Sequence, residues 1–136
     1  MCIGGMDDCI IGKDGRYAPL DYKTKASIPK EGEAEKYYQN QLDCYTLFLK
    51  SNGYLIADHA WIIYYTPNAV KVQKKTLTVS IGIFQFDISV IRISVNPDNA
   101  KEIFNAAVAC ARGEQPKPNP DCEYCGYYIR RDYVKI

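Results

Sequence analysis

The sequence predicts an α/β fold: a mixed β-sheet flanked by helices, in the order β-β-α-β-β(-β)-α. Three observations lead there. Two runs at the N-terminus are joined by Gly12-Lys13-Asp14-Gly15, and Asp-Gly between apolar runs is a strong hairpin signal. Two later segments repeat apolar residues at helical spacing. Between and after them lie segments rich in Ile, Val, Tyr and Trp, residues that suit a pleated, half-buried surface.

Taken in order, the first two strands span residues 3–11 and 16–24. A helix over 33–51 follows. Glu31, Glu33 and Glu35 crowd its start, where the helix dipole favours carboxylates, and Asn52-Gly53 supplies the stop. Its predicted apolar face is Ala34, Tyr38, Gln41, Leu42, Tyr45, Phe48 and Leu49. His59 to Tyr65 reads as a third strand ended by Thr66-Pro67-Asn68, and residues 70–95 hold two further strands. Asn96-Pro97-Asp98-Asn99 opens a second helix over 98–112. Its apolar face is Ala100, Ile103, Phe104, Ala107, Val108 and Ala111, and Gly113 closes it. Pro116, Pro118 and Pro120 make a stiff extended spacer. The expected division is one main domain over 1–115, with 116–136 as spacer and C-terminal tail packed on it.

Composition narrows the function classes. With 17 Lys+Arg against 16 Asp+Glu, the chain lacks the strongly basic balance of a general nucleic-acid binder, so any grip on phosphate must be local. The most apolar stretch, Val79 to Val95, is broken by Gln85, Asp87 and Arg92 and does not read as a membrane span. The N-terminus has neither a basic region nor an apolar core, which predicts no secretion signal. Six cysteines without such a signal point to a reduced, cytoplasmic protein. The single histidine, His59, begins a strand, and a structural role is expected for it.

The chemistry concentrates in the first hairpin and first helix. On the strand Leu20-Asp21-Tyr22-Lys23-Thr24, Asp21 and Lys23 share a face, and Ala18, Leu20 and Tyr22 point the other way, into a core. A three-residue loop with Gly15 left-handed pairs Gly12 with Arg16 and sets Asp7 opposite Asp21, and Gly5 opposite Lys23. Facing carboxylates repel unless a cation or proton sits between them. A four-residue loop would instead pair Asp7 with Leu20, and a slip of register would offer Asp8 in place of Asp7. Hard divalent ions take oxygen ligands, often one or two carboxylates with water and substrate phosphate. Lys23 beside them could orient a water and neutralise developing negative charge. Gln41 and Tyr45 stand one turn apart on the otherwise apolar helix face. A buried amide costs about 1–3 kcal/mol unless bonded, so Gln41 is expected to reach a defined partner, a metal-bound phosphate or Lys23.

Gly4-Gly5-Met6-Asp7, Leu20-Asp21-Tyr22-Lys23-Thr24 and Gln41-Leu42-Asp43-Cys44-Tyr45, in this order, resemble the PD-(D/E)xK nuclease superfamily, with its restriction-endonuclease-like fold. They look most like the RecB-like exonuclease branch and the related nucleases of CRISPR adaptation. The resemblance covers residues 4–66, and more loosely the whole chain. It implies a Mg²⁺- or Mn²⁺-dependent exodeoxyribonuclease acting on single-stranded DNA or DNA ends, within a larger repair or defence complex. It implies Asp7, Asp21 and the backbone carbonyl of Tyr22 as metal ligands, with Asp7, Asp21, Lys23 and Gln41 catalytic. Tyr45 and Lys25 would contact the nucleic-acid strand. Two departures matter. The branch usually has a helix ahead of the first strand that contributes a Glu or His, and the chain begins too late to contain it. Relatives often hold an iron-sulfur cluster on one upstream and three C-terminal cysteines; Cys122 and Cys125 match the downstream part, but Arg131 stands where a third cysteine would fall. A fragment or natural short form would bind metal and cleave more weakly.

Competing readings differ in class. One is a catalytically weak or inactive nuclease-fold module that binds nucleic acid or a protein partner. Another is a small interaction protein organised around Zn²⁺ or a cluster at Cys122 and Cys125, a site that needs two more ligands. Lys71, Lys74 and Lys75 read as a solvated turn, with phosphate contact as the alternative. Tyr127, Tyr128, Arg130, Arg131 and Tyr133 read as residues packing the tail onto the sheet, with base stacking or backbone binding as theirs.

Overall fold

The computed structural model describes residues 4–67, 86–114, 116–119 and 121–132, without the side chains of 128–132. Its elements are β1 (Asp8–Ile11), β2 (Tyr17–Thr24), α1 (Glu33–Ser51), β3 (His59–Pro67), β4 (Phe86–Ser94), α2 (Pro97–Arg112) and α3 (Glu123–Asp132). The four strands form one sheet in the order β1-β2-β3-β4. β1 is antiparallel to β2, β2 parallel to β3 and β3 antiparallel to β4, so the sheet is mixed as expected.

The hairpin adopts the three-residue loop. Gly12 N–H donates to the Arg16 carbonyl at 2.8 Å, Gly15 has φ 75°, and the ladder runs from Ile11–Tyr17 to Asp8–Leu20. A positive φ there is what glycine tolerates without steric cost. β1 is shorter than the predicted 3–11, because residues 4–7 leave the ladder before it reaches Asp21. β2 carries Pro19, which lacks an amide donor; it stands one residue before the parallel ladder to β3 begins at Leu20.

Helix α1 has the predicted bounds. Between β2 and β3 it supplies the crossover that parallel strands require. It covers the sheet face carrying Ala60, Ile62, Tyr64 and Ile93, and these form one core with Ala34 and Leu42 of the helix. Tyr38, Tyr45, Ile91 and Val95 pack around it. Asp43 and Thr46 are also buried on α1, though the apolar periodicity omits them. Thr46 returns its hydroxyl hydrogen to the Leu42 carbonyl at 2.8 Å. Asp43 accepts from Gln39 Nε2, the Asn96 amide and Asn99 Nδ2 at 2.9, 2.7 and 2.8 Å, which ties α1 to the start of α2. Asn96 also caps α2, its Oδ1 accepting the amides of Asp98 and Asn99 at 3.1 and 3.4 Å, and Pro97 takes the first helical position.

The described residues group into two compact units, Met1–Glu102 and Ile103–Ile136, with α2 starting in the first and continuing into the second. In the first unit Ala18 and Leu20 are buried as expected, but Tyr22 is 40% exposed rather than part of the core. Its position near the end of β2, beyond the last residue paired with β1, leaves its ring at the rim. In the second unit Ile103 and Val108 are exposed, so the predicted apolar face of α2 is only partly buried. The tail contains helix α3, an element the sequence does not predict after the proline spacer. Of the strands expected over 70–95, β4 is seen; residues 68–85, with Lys71, Lys74 and Lys75, lie outside the described residues, as do Tyr133 and the side chains of Tyr128, Arg130 and Arg131. Among the described residues no helix is long and apolar enough to cross a membrane.

Candidate active site

Strand β2 sets the site because its two-residue period puts Asp21 and Lys23 on one face. The pairing with β3 matches Asp21 to Ile62 and Lys23 to Tyr64, so this is the face under α1. Asp21 is 1% exposed, deep enough that its carboxylate needs partners on both oxygens. Oδ1 accepts from Gln41 Nε2 at 3.0 Å, and Oδ2 lies 2.5 Å from Lys23 Nζ. Apart from that ion pair, Oδ2 has no hydrogen-bond partner among the described residues. Gln41 also donates to Tyr45 Oη at 2.6 Å. The buried amide therefore has its defined partner, and that partner is Asp21 rather than Lys23.

Lys23 reaches out of the core with its side chain 24% exposed, its ammonium 4.9 Å from the centre of the Tyr38 ring. Burial alone would lower its pKa. The bond to Asp21 and the charges of Asp21, Tyr38 and Tyr45 outweigh burial and raise it above the ordinary lysine value, so Lys23 is a fixed cation at working pH. Tyr64, buried beside it, has its phenol pushed up to about 12, chiefly by desolvation, and stays neutral.

Asp7 lies just past the end of the β1–β2 ladder. Its Oδ2 accepts the Tyr22 amide at 3.1 Å, taking the place that a continuing strand's carbonyl would occupy. The N–H and C=O of one strand residue point to the same edge. The Tyr22 carbonyl thus faces the edge where Asp7 is held. The Tyr22 side chain turns to the opposite sheet face, where its hydroxyl donates to Asp8 Oδ2 at 3.3 Å. Asp8 is therefore bound on the far side from Asp21, and the slipped register that would exchange it for Asp7 does not occur. A Cβ built on Gly5 would meet nothing within 4 Å, but Gly5 lies outside the ladder and is not paired with Lys23 as expected.

The structure thus brings together Asp21, Lys23, Gln41 and Tyr45, and places Asp7 on the Tyr22 amide beside them. Lys25 pairs with Glu33 at the start of α1. His59 lies at the beginning of β3 against Asp58 and Trp61, consistent with a structural role. In the second unit Cys122 accepts from Cys125 and from the Tyr124 amide, bonds that lower its pKa at the N-terminus of α3. Among the described residues no three His, Cys, Asp or Glu side chains gather to hold a metal ion. Sequence reasoning placed Tyr38 on the apolar face of α1 but missed Tyr37 as a neighbour of the site. The signal for Tyr37 was spacing: Tyr37, Gln41 and Tyr45 recur every four residues along one ridge of α1.

The oxygens that the resemblance implies as ligands, two carboxylates and one carbonyl, are of the type a hard cation takes. Of these, Asp21 Oδ2 is a buried oxygen with no hydrogen-bond partner beyond its ion pair. Neither the curated proteins nor the solved structures return a match to this sequence or fold. The family model of the PD-(D/E)XK nuclease superfamily matches residues 2–130, nearly the whole chain, over the same mixed sheet and helices described above, and the chain belongs to that superfamily.

Proposed function

We propose that the chain is a metal-dependent nuclease of the RecB-like branch that hydrolyses DNA phosphodiester bonds at the Asp21–Lys23 site. The observation that carries this reading is the buried Asp21 carboxylate, held by Gln41 on one oxygen and by Lys23 on the other. Burying a carboxylate against a half-buried ammonium for structure alone gains little over apolar packing, because the desolvation penalty offsets the attraction. A site that must hold charge has reason to keep them.

Asp7, Asp21 and the Tyr22 carbonyl would hold Mg²⁺ or Mn²⁺. When bound, such an ion polarises the phosphodiester and lowers the pKa of a water. Gln41 fixes the rotamer of Asp21 so that Oδ2 faces the site, and Tyr45 fixes Gln41 in turn. Lys23 supplies a permanent positive charge next to the phosphate and can orient the attacking water through its N–H groups.

The test is incubation of the purified chain with end-labelled single- and double-stranded DNA and Mn²⁺ or Mg²⁺, beside Asp21→Ala and Lys23→Ala. Lys23→Ala should lower the cleavage rate by about 10²–10³-fold, the usual loss when one charge-stabilising donor is removed. Asp21→Ala should abolish cleavage. Equal rates in all three proteins would overturn the proposal, and DNA binding without cleavage by the wild type would leave a binding module in its place.

A further inference from the structure

Next to Lys23 the structure holds a cavity of about 310 Å³ lined by Thr24, Lys25, Glu33, Tyr37, Tyr38 and Tyr64. That is the lower end of the about 300–1,000 Å³ typical of small-ligand sites. Three of its six lining residues are tyrosines. Tyr38 and Tyr64 meet edge to face at 6.3 Å, Tyr37 and Tyr38 at 6.4 Å. The chain of rings runs outward from the core to Tyr37, which is 63% exposed. Tyr37 is thus a lining residue whose ring is partly open to solvent, packed edge to face on Tyr38 and available to a ligand.

The charges say what the cavity takes. Its only carboxylate, Glu33, is neutralised by Lys25 and accepts the Lys30 amide, and the bond to Lys25 first of all lowers its pKa. The walls are therefore aromatic and near neutral, a poor receptor for phosphate and a good one for a flat, uncharged ring. Cations stand outside it: Lys36 lies 5.5 Å from the Tyr37 ring centre, and Lys23 lies 4.9 Å from that of Tyr38. A neutral aromatic cavity with an ammonium group near each of two of its rings matches one nucleotide of a strand, its base against the rings and its flanking phosphates at the lysines.

We propose that this cavity is a nucleobase subsite, in which an unpaired base of the substrate strand stacks on Tyr37 and thereby delivers the adjoining phosphate to Lys23. The inference rests on the reading of the Asp21–Lys23 site as a nuclease centre, and it goes beyond that reading by assigning the contact to an unpaired base to Tyr37. Tyr37 is then a positioning residue. It touches the base while Lys23 meets the reacting phosphate. A paired base keeps its faces covered by its neighbours and does not enter.

The test measures binding and cleavage separately. In EDTA, where metal-dependent cleavage is stopped, a single-stranded DNA carrying 2-aminopurine is titrated with the wild type, Tyr37→Ala and Tyr37→Phe. Stacking should quench the probe on the wild type and on Tyr37→Phe. Tyr37→Ala should lose the quench and bind about 5- to 150-fold more weakly, the range for removing one stacked base. An oligonucleotide of the same length with abasic sites should bind the wild type as weakly as the intact strand binds Tyr37→Ala. Wild-type affinity and quenching in a folded Tyr37→Ala, verified by its circular dichroism, would overturn the proposal. So would a wild type indifferent to abasic sites. If the wild type cleaves DNA with Mn²⁺ while Tyr37→Ala behaves identically, the subsite fails alone. If quenching depends on Tyr37 but no cleavage occurs, the nuclease reading fails and the subsite stands.

Discussion

Asp21 concentrates the energetics of the molecule in one side chain. Its carboxylate is almost entirely removed from water and survives there on one amide and one ammonium. Removing either partner leaves a buried acceptor without compensation, whereas removing all of them together would cost much less. Lys23 makes the arrangement sensitive to alkali. Its folded pKa lies above the ordinary 10.5, so the ion pair contributes fully to stability below that pH and is lost as pH rises through the folded value. The stability advantage of the wild type over Lys23→Met should therefore be constant near pH 8 and shrink above about 10.5. Urea midpoints measured from pH 8 to 11.5 give the answer, and a gap that does not narrow would mean that the pair is not formed.

At the scale of elements, the hairpin and α1 do most of the positioning. The three-residue loop ending in Gly15 fixes the register, which pairs Asp8 with Leu20 and leaves Asp7 just past the ladder, on the Tyr22 amide. This much was legible in Gly12-Lys13-Asp14-Gly15, because glycine's conformational freedom dictates the turn. The bounds of α1 and the shared face of Asp21 and Lys23 were legible from periodicity for the same local reason. Other features were not. The early end of β1 and the exposure of Tyr22 depend on where neighbouring strands stop, and α3 follows three prolines that mask a short helix. Asp43 was invisible to an apolar pattern, since it is a buried polar residue satisfied by partners 53 and 56 residues away. One of those partners, Asn96, also caps α2. Asn96→Ala should lower stability by about 0.5–2 kcal/mol, the usual loss of an N-cap, as read from denaturant midpoints. An unchanged midpoint would show that the cap contributes nothing.

Over the whole molecule, the sheet, the crossover helix and the site follow one logic. A parallel β2–β3 pair needs a connection across one face, and α1 provides it. The same helix then delivers Gln41 and Tyr45 to Asp21, and Tyr37 and Tyr38 to the space beside Lys23. The match to the PD-(D/E)XK nuclease superfamily spans residues 2–130 and so covers the sheet, the crossover helix and the site together. Membership brings an expectation of divalent-metal chemistry, and the oxygens proposed to hold the ion come from two carboxylates, of which Asp21 is paired with the Lys23 ammonium, and the Tyr22 carbonyl. The chain as a whole is nearly uncharged, with 17 basic and 16 acidic residues, so binding of nucleic acid must be organised by the site itself.

The most direct measurement is Mn²⁺ binding followed by electron paramagnetic resonance, because it reads the ion at the site without requiring turnover. The free-ion signal should fall on adding the wild-type protein. Asp7→Asn and Asp21→Asn, each of which keeps the size of the side chain but removes its charge, should each weaken binding by about tenfold or more, equal to about 1.4 kcal/mol. Equal uptake by all three proteins, or none by the wild type, would contradict a metal centre built on these carboxylates.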